Sequence, residues 1–270
     1  MKKIFVLVLG LALPFLFAIT LSSCKKDKVT VDNQEPEGDG LIQNAVKDYD
    51  GNTYDAVKLG NQVWMASNLR TTHYADGTAI PLGEMMHDLS ASTPYRYYPD
   101  NNSSTVNTYG YLYNFSAATN KVSSSTANPS GVQGACPNGW HLPSDAEWKE
   151  LTDYLSTQSN FQSGGAANIA KALASTSGWD QSSVPNSVGN NQSSNNATGF
   201  NALPAGECQQ TPNYFGGSAY FWTATKYGNG TGENDLVAID RVMRYYEATV
   251  TSEEYGAFKQ NGMSVRCVRD

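Results

Sequence analysis

The amino-acid sequence predicts an α+β domain of mainly antiparallel strands with about two helices and long irregular loops. β-prone runs stand before and after a central helical stretch, with no β-α alternation. Sixteen Tyr, 24 Gly and 11 Pro in 270 residues favour strands and turns over a helix bundle. A 40% hydrophobic, 16% charged composition belongs to a chain that buries a core, and it excludes wholesale disorder, collagen and coiled coil. The length suits one large domain or two small ones.

The elements follow in order. Asp50-Gly51 and Gly60-Asn61 separate short β-prone runs at Tyr54 to Leu59 and Gln62 to Met65, which predicts a β-meander. Asp48, Asp50 and Asn52 around Gly51 have some of the look of a calcium loop. The Gly falls one place early and no acidic residue closes the loop, so a plain hairpin turn is favoured. Residues 70–135 are irregular, and only Tyr109 to Phe115 looks strand-like or buried. Ser144 as N-cap and Glu147 three residues later form a capping box, and Trp148, Leu151 and Leu155 share one face of the helix that follows. A weaker helix is expected over Ala166 to Ala174. Residues 180–198 are Ser- and Asn-rich and read as a long exposed loop. Strands are then expected at Phe200 to Pro204, Ala219 to Thr225, Leu236 to Arg241, Met243 to Val250 and Met263 to Val268. In the last of these, Met263, Val265 and Cys267 share one face and Ser264 and Arg266 the other.

Residues 1–24 have a different character. Lys2 and Lys3, an apolar run from Ile4 to Leu21 and the ending Leu21-Ser22-Ser23-Cys24 make a bacterial lipoprotein signal over residues 1–23, with Cys24 as the lipid-bearing residue. Acyl chains on Cys24 would anchor the chain at roughly 0.8 kcal/mol per buried methylene. Residues 24–40 are polar, hold Pro36 and lack periodicity, so they read as a tether, and residues 41–270 as a single domain. The expected location is the cell envelope, lipid-anchored, at the outer membrane, with either face open. Losing Lys2 and Lys3 with the signal lowers the formal charge from −7 to −9. Such acidity argues against a nucleic-acid partner, which would need clustered Lys and Arg. In an oxidising envelope Cys136, Cys208 and Cys267 can form one disulfide with one thiol left over.

The runs DYDGNTYDAVKLGNQVWMASNLRTTHYADGTAIP (48–81), YGYLYNF (109–115), ACPNGWHLPSDAEWKEL (135–151), GFNALPAG (199–206), AYFWTAT (219–225) and GMSVRCVRD (262–270) together resemble the Fibrobacter succinogenes major paralogous domain. That family is similar in turn to the C-type-lectin-like fold and to formylglycine-generating proteins. The resemblance implies a secreted or lipid-anchored domain with no settled activity. Folds resembling C-type lectins join a helix-proximal Cys to the terminal strand, which implies a Cys136–Cys267 disulfide and a free Cys208.

The chemistry points to binding rather than catalysis. Formylglycine-generating enzymes use a close pair of reactive cysteines, whereas Cys208 and Cys267 stand far apart in the chain and outside that pattern. A serine or cysteine hydrolase would need a base from among His73, His87 and His141, and no G-x-S-x-G elbow occurs. His141, between Trp140 and Leu142, is favoured as a buried structural imidazole. Asp145, Glu147 and Glu150 read as first-turn and solvated-face residues of their helix. No metal-ligand spacing occurs, no cofactor is called for, and calcium enters only through the lectin resemblance. Tyr and Trp with Asn, Asp and Glu suit sugar binding, where rings stack on pyranose faces and amides and carboxylates meet hydroxyls. Trp64, Trp140, Trp148 and Trp222 are expected in the core. Trp179, Tyr245 and the acidic turn Glu233-Asn234-Asp235 remain as candidate ligand-binding residues. The expected role is a non-catalytic binding or adhesion module for a glycan or surface protein. The alternatives are an assembly subunit of a surface appendage and, less favoured, a formylglycine-generating-type oxidase.

Overall fold

Alternating side chains in the first predicted strands build a sheet with two buried faces. In the computed structural model, which describes residues 38–85, 87–228 and 235–270, β1 (Gly40–Lys47), β2 (Thr53–Leu59) and β3 (Gln62–Met65) form the expected antiparallel meander. The signal segment, Cys24, most of the tether, Glu233 and Asn234 lie outside the described residues. The Asp48–Asn52 turn satisfies itself. Asp48 accepts from the Asn52 backbone (2.8 Å) and from the Tyr54 hydroxyl (2.6 Å), the role expected of a hairpin turn. Gly60 opens the β2–β3 hairpin at φ +61°, where a Cβ would meet the Tyr154 ring at 3.1 Å.

The chain then passes through β4 (Arg96–Tyr97), α1 (Val106–Tyr109), β5 (Leu112–Tyr113), α2 (Phe115–Thr119) and β6 (Trp140–His141). The run Tyr109 to Phe115 is thus buried but broken into pieces. α3 (Asp145–Thr157) begins with the predicted capping box, both halves of which are formed. α4 (Ala170–Leu173) is shorter than its Ala-rich window suggested, and β7 (Glu207–Cys208) pairs with β8 (Pro212–Asn213). A second sheet consists of β9 (Ser218–Lys226), β10 (Val237–Arg244) and β11 (Ala257–Phe258), in the order β11-β10-β9. β12 (Val268–Arg269) slots between β3 and β6, giving the first sheet the order β1-β2-β3-β12-β6. Pairing within both sheets is antiparallel, and the molecule is α+β.

Each face of the first sheet meets its own core. Tyr54, Ala56, Val63 and Met65 pack with Phe115, Trp140 and Trp222, while Val57, Leu59 and Trp64 pack with Trp148, Leu151 and Leu155 of α3. The Trp64 and Trp148 rings lie 4.7 Å apart, and Trp148 also meets Phe221 at 5.5 Å. All four tryptophans expected in the core are buried.

The structure differs from the sequence expectation in several places, each with a local cause. Phe200 to Pro204 makes only one bridge, Ala202 to Ala174, because Gly199 (φ +76°) and Asn201 (φ +57°) break the extended backbone. The two strands expected at 236–241 and 243–250 are one strand ending at Arg244, where the Glu247 backbone donates to the Arg244 carbonyl (3.0 Å) and turns the chain. The expected strand 263–268 spreads its hydrogen bonds over several partners instead of one ladder. Met263 exchanges bonds with Tyr113, Ser264 lies between Tyr220 and Trp222, Val265 accepts from Leu69, and Cys267 accepts from Met65. Both faces of this segment are buried. Residues 180–198 lack regular strands but are not simply exposed. Ser187, Val188 and Asn195 are buried, and the loop's carbonyls at Ser187, Asn190 and Asn191 accept from the buried Lys171 ammonium.

Cys136 and Cys267 are disulfide-bonded with their Cα atoms 5.9 Å apart, and Cys208 is free and buried. Beside Cys267 lies Arg266, fully buried. Its guanidinium donates to the carbonyls of Met65 (3.0 Å), Phe200 and Asn201 (3.3 Å) and to the Asn68 side chain (2.6 Å), and it sits 4.3 Å over the Phe200 ring. Burial lowers its pKa to about 9, so it keeps its charge at neutral pH. Replacing Arg266 with Met would strand these acceptors in the core. Arg266→Met is expected to lower unfolding free energy by about 3 kcal/mol or more in urea titration. A loss under about 1 kcal/mol would contradict this role.

Candidate binding groove

The register of β9 against β10 decides which side chains share a face. Trp222 stands opposite Asp240, Tyr220 opposite Val242 and Ser218 opposite Arg244, so Tyr220, Asp240 and Arg244 project from one side of the second sheet. Two adjoining depressions open there and share Tyr214, Tyr220 and Glu253. One, of about 510 Å³, is lined also by Glu207, Gln209 and Asn261. The other, of about 760 Å³, is lined also by Asp180, Arg244, Tyr245 and Tyr246. Together they form a groove lined by tyrosines and by the carboxylates of Asp180, Glu207 and Glu253, with the buried Asp240 lining neither depression.

Each element of the groove has a local reason. β7 and β8 bring Glu207 against residue 261, where Gln209 Nε2 donates to Glu207 Oε1 (2.6 Å) and Asn261 Nδ2 to Oε2 (3.2 Å). Tyr214 holds a left-handed backbone (φ +60°) and places its exposed ring 6.0 Å from Tyr220. Tyr245 and Tyr246 follow the end of β10, with ring centres 5.1 Å apart and edge-on. Arg244 donates to Glu253 (2.6 Å), Thr251 (3.1 Å) and Glu247 (3.4 Å). Asp240, fully buried, accepts the Glu253 backbone N–H on Oδ1 (3.0 Å), while its Oδ2 has no hydrogen-bond partner among the described residues.

The carboxyls are electrostatically stressed. Burial pushes Glu207 up to about 7, with Asp240 and Glu253 adding to the rise against the two amide hydrogen bonds. Burial likewise pushes Asp240 up to about 6, with Glu253 adding to the rise and Arg244 opposing it. Two carboxyls near neutrality beside hydroxyl-bearing rings can both donate and accept hydrogen bonds.

A second polar cluster is structural in kind. His141 is buried, as expected, with Nδ1 2.6 Å from Asp270 and Nε2 2.6 Å from Glu147. Burial works to lower its pKa, but the hydrogen bonds and charges of Glu147 and Asp270 outweigh that and raise it. Glu147 is therefore not on a solvated face. It is 2% exposed, and its second oxygen accepts from the backbones of Ser130 and Ser144. Among the described residues no three His, Cys, Asp or Glu side chains are placed to hold a metal ion.

Only part of the expected site is gathered here. Tyr245 lines the groove. Asp235 is exposed and pairs with Lys259 at 3.4 Å. Trp179 is 5% exposed, donates from its indole to Ser175 (3.0 Å) and packs in the α3 core, so its ring is not open to a ligand. Glu233 and Asn234 fall outside the described residues. Glu207, Tyr214, Tyr220, Asp240 and Glu253 were not singled out from sequence. The one available signal was Asp240, a carboxylate at an inward position of an apolar strand run.

The fold and groove define an α+β domain rich in buried aromatics, closed by a disulfide and carrying an acidic, tyrosine-walled groove. The chain belongs to the Fibrobacter succinogenes major domain family, whose model matches residues 57–269. No curated protein and no solved structure matches it.

The pKa shifts carry a sign for stability. Raised values at His141, Glu207 and Asp240 mean that the folded chain holds more protons than the unfolded one. Their contribution is full below the unfolded pKa values and is lost as pH rises through the folded ones. The thermal midpoint should therefore fall from about pH 5 to about pH 8, and Glu207→Gln with Asp240→Asn should flatten that fall. A flat or rising profile in the native chain would contradict the assignment.

Proposed function

We propose that this chain is a cell-envelope lipoprotein whose folded domain is a non-catalytic saccharide-binding module, with the tyrosine-walled acidic groove as its site. The observation that carries this reading is the juxtaposition of Tyr214, Tyr245 and Tyr246 with Glu207, Gln209, Asn261 and Glu253 along one groove. Tyrosine rings offer faces to pyranose C–H groups, and amides and carboxyls offer directional partners to hydroxyls. The leader-like residues 1–23 and Cys24 support membrane attachment through acyl chains. The acidic balance supports a partner other than nucleic acid.

Two measurements test the reading. A soluble form beginning at Lys25 should bind members of a glycan array, and removing the exposed Tyr214 ring with Tyr214→Ala should weaken that binding by about tenfold, the scale of one lost stacking contact. An array without any enriched saccharide would sink it. Separately, the full chain should partition into detergent when expressed in a bacterial host, and Cys24→Ala should shift it to the aqueous phase. Unchanged partitioning would refute the lipid anchor.

A further inference from the structure

The segment 180–198 has too little apolar matter to organise itself by hydrophobic burial. Val184 and Val188 are its only branched aliphatic residues, and Val184 is exposed. Yet Ser187, Val188 and Asn195 are buried, so something polar gathers the segment. That centre is Lys171 of α4, which is 7% exposed, a rare position for a lysine. Its Nζ donates to the backbone carbonyls of Ser187 (3.3 Å), Asn190 and Asn191 (3.4 Å). Three ammonium donors thus meet three carbonyl acceptors. The left-handed backbone at Asn191 (φ +50°) lets two consecutive carbonyls serve the same nitrogen. A further acceptor lies in the same segment, since Asn195 donates to Ser175 (2.9 Å) and Val188 (3.1 Å) while its buried Oδ1 has no partner among the described residues.

Converging backbone carbonyls in place of a hydration shell are how a polypeptide holds a monovalent metal ion, whereas divalent ions call for carboxylate ligands. The donors around Lys171 are neutral carbonyls, and an ammonium is close to potassium in size and charge. We infer that residues 187–191 form a backbone cation cage whose permanent occupant is the chain's own Lys171 ammonium. Potassium or free ammonium should enter that cage once the side-chain charge is removed. The occupied cage also props the end of β10, because the Val188 and Gly189 backbones donate to the carbonyls of Glu247 (2.9 Å) and Tyr245 (2.6 Å).

The test is amide hydrogen exchange, read by mass spectrometry over peptides covering 180–198, on the full chain in detergent. The native chain should exchange equally slowly in potassium, ammonium and choline chlorides of equal ionic strength. Lys171→Met keeps the side chain's length and removes its charge. In choline, which is too large for the cage, this variant should exchange about tenfold faster over 180–198, and potassium or ammonium should restore the protection. Exchange as slow as native in every salt would overturn the role of the ammonium. Fast exchange that no small cation slows would overturn the cage. Should the variant fail to fold, acylation of the native chain decides: Lys171 should react far more slowly than the exposed Lys149, and equal labelling of the two would overturn the caged ammonium.

Discussion

Arg266 is the constraint on which the rest of the structure depends. Its guanidinium is fully buried and, among the described residues, pairs with no carboxylate but is met by carbonyl oxygens from Met65, Phe200 and Asn201 and by the Asn68 amide. A planar group with five donors in a fixed fork demands acceptors at fixed places. Those acceptors come from the end of β3, from the segment after it and from the turn around residue 200, so the cation specifies how three distant stretches meet. Phe200 and Phe221 close over it at 4.3 and 5.6 Å. The same demand explains why 199–204 is not a strand, since two of its carbonyls turn inward to the guanidinium instead of along a ladder.

Two kinds of buried charge coexist in this domain. At His141 the partners converge from Glu147 and Asp270, and the imidazole ties the start of α3 to the end of the chain. At the groove the carboxyls have too little positive charge near them, and their protons are held by burial instead. The first arrangement is satisfied and structural, while the second leaves one buried oxygen, Asp240 Oδ2, without a partner among the described residues.

Local signals in the chain were legible wherever the cause was local. The Ser144–Glu147 capping box, the Gly60-Asn61 turn and the alternation in β2 and β3 depend on residues within a few positions of each other. The burial of Trp64, Trp140, Trp148 and Trp222 was expected from their place in motifs that resemble the family's. The disulfide partner of Cys267 was reached through family resemblance, not through spacing. What was illegible depended on distant partners. Nothing near Phe200 announces that Arg266 will take its carbonyl, and nothing in Ser-rich 180–198 announces the Lys171 ammonium around which its backbone folds. The groove was hidden for the same reason, because Glu207, Tyr220 and Glu253 come from three separate stretches. Trp179 shows the converse, a ring in a polar neighbourhood of the sequence that distant apolar residues enclose.

The threading of residues 263–268 bears on the order in which the molecule can be made. These residues pair with Leu69, Tyr113 and Tyr220, carry the arginine that solvates Met65 and Phe200, and hold the second half of the disulfide. A nascent chain lacking them has its hairpins and its capped helix but neither core closed, so its long-range contacts must form late and nearly together. High contact order of this kind slows folding and prolongs exposure of apolar strands. A chain that stays open until its last stretch emerges is also one that a secretion channel could still thread, as the export proposed above would require.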